Sequence, residues 1–335
     1  MTQQPHISVI GAGAWGTALA QVLAEAGRRV TLYAREPGLA DNINTKKHND
    51  LYLSGTPLNA NIHATDNLTD SVKGADIVLL VTPTQFVRNV LAELGPHLPA
   101  QVPVVSCAKG IEIATGKLLS EVAAEIIPNS PYAVLSGPTF AHEVARGLPT
   151  AVTFATSAKK ELAEQWAQTL SCRTFRPYLS NDVIGAEIGG AIKNVIAIAC
   201  GIVDGKGLGQ NAKAAVMTRG IAEIKRFGLK RGAEADTFLG LSGLGDLTLT
   251  CNSMSSRNYS LGAALGHGRK LDDILSERRS VAEGVTTARA IALNAHKLQV
   301  DMPISSAVDK ILHQQADIDA VISALLSRDL KQESA

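Results

Sequence analysis

The residues best suited to proton transfer in this chain are two lysines and an aspartate. Lys193 stands in AIKNVIAIA, among residues that a fold would bury. Burial disfavours an ammonium, so such a lysine titrates toward neutrality and can serve as a general acid. Gly189 and Gly190, one helical turn earlier, leave room above it for another backbone or a ligand. A lysine that snorkels its head group to the surface from a helix end fits the composition equally well. Lys109 follows the strand-like run Val102 to Cys107, which sets it at the carboxyl end of a strand, where open α/β sheets bind ligands. Asp246, in LSGLGDLTLT, is able either to orient Lys193 or to stabilise its own turn.

Other spacings suit anions. Gly11, Gly13 and Gly16 lie where a strand feeds a helix, so backbone can approach a pyrophosphate at Gly13 and the helix N-terminus offers unpaired N–H groups. The flanking strand, helix and second strand supply the context that this glycine spacing needs to indicate a dinucleotide site. In SGPTF, at 136–140, the turn through Gly137 and Thr139 can aim a hydroxyl and backbone N–H groups at a bound anion. Ser256, Arg257 and Asn258 are three consecutive donors able to bind a phosphate. Each of these also reads, alone, as ordinary loop chemistry.

The end of the second strand decides which dinucleotide is bound, and here Arg35 and Glu36 stand side by side. Arg35 favours a 2′-phosphate and hence NADP, whereas Glu36 falls about 20 residues after Gly16, where an acid that binds ribose hydroxyls would stand. The balance leans to NADP with NAD left open.

These groups need a scaffold, and the hydrophobic pattern describes one. Ile7 to Ile10, Val30 to Ala34, Asp76 to Thr82, Val102 to Cys107, Tyr132 to Leu135 and Ala151 to Ala155 read as strands, several buried on both faces. Thr17 to Ala26, Phe86 to Leu94 and Lys117 to Ile127 read as covering helices. After about Ser180 strand signals vanish. Asp182 to Val203 reads as one long apolar helix, followed by helical periodicity in Lys213 to Phe227, Val285 to Ala295 and Ala307 to Leu326. The expected fold is α/β: a doubly wound, Rossmann-type parallel sheet over residues 1–180 as dinucleotide-binding domain, then an all-helical substrate-binding domain over 181–335.

Composition removes other classes. With 45% apolar and 19% charged residues the chain has a globular rather than a disordered composition. A net charge of +1, from 32 basic and 31 acidic residues, gives no field to attract nucleic acid or an anionic membrane surface. Four scattered cysteines read as free, mostly buried thiols, and no HxxxH or HxH spacing supports a metal site. The N-terminus lacks the basic region of a secretory signal, and the apolar run Val195 to Val203 falls short of the ~20 residues of a spanning helix. No membrane insertion and a cytoplasmic location are expected. The long apolar helix also suggests self-association, with a homodimer as the simplest form.

Taken together, GAGAWGTALA at 11–20, CAKGIE at 107–112, SGPTFAHEVARGLPTA at 136–151, KN at 193–194, GLGDLTLTC at 243–251, SRN at 256–258 and VAEGV at 281–285 resemble the bacterial NAD(P)-dependent glycerol-3-phosphate dehydrogenases along nearly the whole chain. The resemblance implies reduction of dihydroxyacetone phosphate to sn-glycerol 3-phosphate, the backbone of phospholipids. It implies Lys193 as proton donor and acceptor. Around the substrate it places Lys109, Gly137, Thr139, Asp246, Ser256, Arg257 and Asn258. Around the dinucleotide it places Gly11, Gly13, Ala14, Trp15, Gly16, Arg35, Lys109, Ala141, Arg257, Val281 and Glu283. Ala14 and Thr139 stand where serine is common in the family, the first losing a hydroxyl contact and the second keeping a hydroxyl.

Two other functions fit part of the pattern. A β-hydroxyacid dehydrogenase shares the Rossmann domain, the helical domain and a lysine-asparagine pair, but its substrate carries a carboxylate. A non-catalytic NADP-binding sensor would bind nucleotide tightly and turn over no ketone.

Overall fold

The computed structural model describes residues 4–277, 282–329 and 332. Its strands are β1 (His6–Ile10), β2 (Arg29–Tyr33), β3 (His48–Asn49), β4 (Leu53–Pro57), β5 (Ile62–Thr65), β6 (Ile77–Leu80), β7 (Val104–Ser106), β8 (Tyr132–Ser136), β9 (Thr150–Thr156) and β10 (Phe175–Ser180). All but β3 and β4 form one eight-stranded sheet in the order β10-β9-β8-β7-β6-β1-β2-β5. Helices α1 (Ala14–Glu25), α2 (Leu39–Lys46), α3 (Val87–Leu94), α4 (Leu119–Ile126), α5 (Ala141–Ala145) and α6 (Lys160–Leu170) accompany the strands. The rest is helical: α7 (Val183–Gly205), α8 (Gly209–Lys230), α9 (Asp246–Cys251), α10 (Arg257–Gly266), α11 (Leu271–Ser276), α12 (Glu283–Leu298), α13 (Pro303–His313) and α14 (Ile318–Leu326).

From β1 the chain winds outward to β2 and β5, then returns to β6 on the other side of β1. That reversal opens the crevice where doubly wound sheets bind ligands, at the strands' carboxyl ends. The central strands β1 and β6 are buried along their length, as their apolar sequences require. The sheet is mixed rather than wholly parallel, because β9 runs antiparallel to β8 before β10 resumes parallel pairing with β9. Only the short α5 separates β8 from β9, and a parallel return needs a longer crossover. Edge strand β10 gave little sequence signal, since FRPYLS contains Pro177 and several exposed positions. The segment 307–326 is two helices rather than one. Gln315 adopts a left-handed φ of 54°, and the Asp317 carboxylate caps α14 by accepting from Ala320 N at 2.9 Å.

Helix α7 is the axis of the second half. It is long and apolar enough to cross a membrane, yet most of it is buried inside the protein by the surrounding helices. Its crossing with α10 is unusually close because both helices present glycine. A Cβ on Gly201 would stand 2.1 Å from the Tyr259 carbonyl oxygen, and one on Gly262 would stand 2.1 Å from that of Ile198. Both obstacles are backbone, which cannot rotate away. We expect Gly262→Ala to force the helices apart and to cost about 2–3 kcal/mol of stability. Thermal unfolding would show this as a midpoint lowered by several degrees, and an unchanged midpoint would show that the crossing has slack.

Candidate active site

The glycine turn after β1 is shaped by close backbone packing. Gly11 has φ +121°, and a Cβ there would stand 2.9 Å from the Val81 carbonyl oxygen; one on Gly16 would strike the Gly11 carbonyl oxygen at 1.8 Å. Gly13, the N-cap of α1, has nothing within 4 Å of a Cβ position, so the open side of the turn faces space that a pyrophosphate can fill. Asn49, on β3, braces the turn by donating from Nδ2 to the Ala12 carbonyl and to Thr17 Oγ1, both at 2.8 Å. Ala14 opens α1, and the buried indole N–H of Trp15 has no partner among the described residues. Ala141 opens α5 and packs on the same apolar cluster as Trp15. These residues fit a dinucleotide.

Past the end of β2, Arg35 and Glu36 have different surroundings. Glu36 accepts from the Tyr52 hydroxyl at 3.0 Å and lies 3.6 Å from the Arg35 guanidinium. The Arg35 side chain is 71% exposed and lies 5.9 Å from the centre of the exposed Phe86 ring.

At the other end of the crevice, Asp246 organises the charges. The Lys193 ammonium donates to its Oδ1 at 2.6 Å, and the Lys109 ammonium donates to its Oδ2 at 2.7 Å. Lys109 also donates to the Gly137 carbonyl at 2.9 Å, and Lys193 to Thr250 Oγ1 at 2.8 Å. Lys193 is therefore buried rather than snorkelling, with 6% of its surface exposed. The two glycines before it serve protein packing. A Cβ on Gly189 would meet the Ser242 carbonyl oxygen at 2.5 Å, and one on Gly190 would meet Ser136 Oγ at 2.7 Å and Lys109 Cγ at 3.4 Å.

Local structure explains the placement. Asp182 caps α7 by accepting from Gly185 N at 2.8 Å, and its other oxygen holds Glu234 N at 2.9 Å and Thr237 Oγ1 at 2.7 Å. The chain then makes a π-helical turn at Leu241–Gly245 that delivers Asp246 to the start of α9. Thr250 lies one turn further on the same face. Burial lowers the Lys193 pKa from 10.5 to about 8; attraction to Asp246 opposes this and the nearby Lys109 cation adds to it.

The SRN segment forms the start of α10. Ser256 Oγ accepts from Tyr259 N at 3.2 Å, capping the helix. Asn258 donates to Asn194 Oδ1 at 2.8 Å and accepts from Gly284 N at 3.0 Å, so its amide ties α7, α10 and α12 together. Of the three consecutive donors expected to face a phosphate, Ser256 and Asn258 are buried and Arg257 is exposed. Desolvation nevertheless lowers the Arg257 pKa, and the attraction of Glu283 opposes it. Glu283 reaches the crevice by accepting from Thr84 N at 3.0 Å. Thr139 Oγ1 donates to the Gly137 carbonyl at 3.2 Å, closing a turn in which Gly137 has φ +151°. Val281 lies outside the described residues.

Three members of this arrangement were absent from the sequence-derived set. Thr250 is signalled only by its spacing of four from Asp246. Asn194 donates to the Lys109 and Gly190 carbonyls at 3.4 and 3.3 Å, and its sole signal is adjacency to Lys193. Asn49 has no local signal, being 37 positions from its partner Ala12.

The family models that match describe the two halves of one enzyme. Residues 6–162 match the N-terminal model, and residues 182–323 the C-terminal model, of NAD-dependent glycerol-3-phosphate dehydrogenase. A glycerol-3-phosphate dehydrogenase [NAD(P)+] from Rhodospirillum rubrum is 56% identical over 98% of this chain and 94% of its own length. The crystal structure of glycerol-3-phosphate dehydrogenase from Coxiella burnetii superposes with a TM-score of 0.93 at 36% identity, covering 97% of this chain and 99% of that one. The Saccharomyces cerevisiae enzyme superposes at 0.82 with 30% identity, over 96% and 99% of the two chains. With both halves matched in order and the fold shared end to end, the chain belongs to the NAD-dependent glycerol-3-phosphate dehydrogenase family.

Proposed function

We propose that this chain reduces dihydroxyacetone phosphate to sn-glycerol 3-phosphate, reversibly, with NAD(P)H. The observation that supports this most directly is the buried Lys193 ammonium, held by Asp246 at the carboxyl ends of the strands with Lys109 beside it. A bound reduced nicotinamide supplies the hydride for the central carbonyl carbon. Lys193 Nζ gives a proton to the carbonyl oxygen as negative charge develops there, and recovers it in the reverse direction. Asp246 and Thr250 aim that ammonium, while Lys109 adds positive charge next to the developing alkoxide. Arg257 binds the substrate phosphate, turning remote binding energy into orientation at the reacting carbon. Gly137 and Thr139 shape the substrate turn, Ser256 and Asn258 present Arg257, and Glu283 with Ala141 completes the nucleotide side.

The same proposal divides the chain near residue 180 into nucleotide and substrate domains, locates the protein in the cytoplasm as a homodimer supplying phospholipid backbones, and leans to NADPH. The lean comes from Arg35, since Glu36 is engaged by Tyr52 while the Arg35 guanidinium is exposed. Arg35→Ala should raise the KM for NADPH about tenfold and leave that for NADH within about twofold. Equal effects on the two would remove Arg35 from 2′-phosphate binding.

The primary experiment follows NADPH and NADH absorbance with dihydroxyacetone phosphate. Lys193→Ala should lower kcat by about 10²–10⁴-fold with nucleotide affinity intact. Loss of affinity to the same degree, or turnover of hydroxyacids alone, would overturn the assignment.

The pH dependence has a definite sign. Reduction needs the ammonium, so its kcat should fall as pH rises through about 8, while oxidation needs the free amine and should fall below that pH. Because the Asp246 charge raises the Lys193 pKa, Asp246→Asn should move the descending limb of the reduction profile to lower pH. A limb that stays in place or rises would show that another group controls it.

A further inference from the structure

Behind the reacting groups lies a second polar cluster that the chemistry above does not use. Glu187 sits on α7, about 9 Å before Lys193 along the axis at ~1.5 Å per residue, and is buried. Its Oε1 accepts from Ser120 N at 2.8 Å and from the Tyr132 hydroxyl at 3.0 Å, and its Oε2 lies 2.5 Å from Ser120 Oγ. Among the described residues no ion pair reaches it, and burial pushes its pKa up to about 7. Its charged neighbour is Glu121, whose own carboxylate is paired with Arg231 at 2.7 Å.

The three segments that meet at Glu187 meet again at the reacting end. Ser120 lies in the first turn of α4, which the Lys109 loop leads into; Tyr132 opens β8, which runs out into Gly137; and α7 carries Lys193. A buried carboxyl without a cation is costly to retain. Three directional bonds specify one setting of a helix, where apolar contacts tolerate several. Between the two clusters there is no slack, because α7 abuts Ser136 and the Lys109 stem at Gly190. We propose that Glu187 is a positioning residue that fixes the axial setting of α7 against α4 and β8, and thereby holds Lys193 in register with Lys109 and Gly137. The consequence for catalysis rests on Lys193 being the proton donor.

The test compares Glu187→Ala with Glu187→Gln, whose amide can keep two acceptor contacts and donate to Ser120 Oγ. Glu187→Ala should lower kcat about 10- to 100-fold, as expected for reacting groups displaced by about 1 Å, with nucleotide KM within about twofold. Glu187→Gln should restore most of that loss. A second readout needs no turnover: acetylation of Lys193 by acetic anhydride across pH, followed by peptide mass spectrometry, reports the midpoint of its amine. That midpoint should leave about 8 in Glu187→Ala and stay there in Glu187→Gln. If the wild-type protein fails to reduce the ketone phosphate while this shift is seen, positioning stands and the reaction assignment falls. A folded Glu187→Ala with wild-type kcat and labelling midpoint overturns the proposal, as does Glu187→Gln damaged as severely as Glu187→Ala. Should Glu187→Ala not fold, Tyr132→Phe, which deletes one of the three bonds, carries the same readouts with a smaller shift in the same direction; no shift there overturns the proposal.

Discussion

One buried carboxylate between two ammonium groups governs the arrangement of this molecule. Asp246 is fully buried and takes Lys193 on one oxygen and Lys109 on the other. Charges of this kind are tolerated in an interior only when paired and hydrogen-bonded. The elements around them answer that requirement. Lys193 arrives on α7, Lys109 on the loop after β7, and Asp246 through a π-helical turn that follows the segment held by the Asp182 carboxylate at Glu234 and Thr237. Removing Asp246 would leave two ammonium groups without their anion, and removing either lysine would take one of the two cations from a buried carboxylate, so chemistry and packing are tied together at this point.

The pairing also sets the electrostatics. Two cations share one anion, which leaves the cluster net positive in the crevice where an anionic substrate with a developing alkoxide would lie. Burial and the second lysine pull Lys193 down toward neutrality, and Asp246 prevents the amine from being neutral throughout the physiological range. Further along, Glu283 attracts Arg257 electrostatically and accepts from Thr84 N. Opposite charges therefore recur along the crevice, with an excess of positive charge around Asp246.

The most regular parts of this design were legible in the sequence. A glycine turn between an apolar strand and an alanine-rich helix, the buried runs of β1 and β6, and the continuous apolar length of α7 each follow from local periodicity. What stayed hidden depends on distant partners. The reversal of β9 was not readable from its own seven residues, and edge strand β10 has neither a buried run nor clean alternation. The break between α13 and α14 turned on a left-handed glutamine that carries no glycine signal. Within the site, the lysines, Asp246 and the SRN segment could be named from type and spacing. Their division of labour could not, since Asn258 and Ser256 are engaged by backbone and side chains contributed from other turns.

The small β3–β4 ribbon has a consequence for how the nucleotide is taken up. Through Asn49 it clamps the Ala12 carbonyl and the Thr17 hydroxyl, so the glycine turn is held in shape by the protein's own side chains. A loop that must be ordered on contact subtracts its lost conformational freedom from the affinity and slows capture; a turn clamped from the side does neither. The ribbon thus transfers an entropic cost from each binding event to the single event of folding.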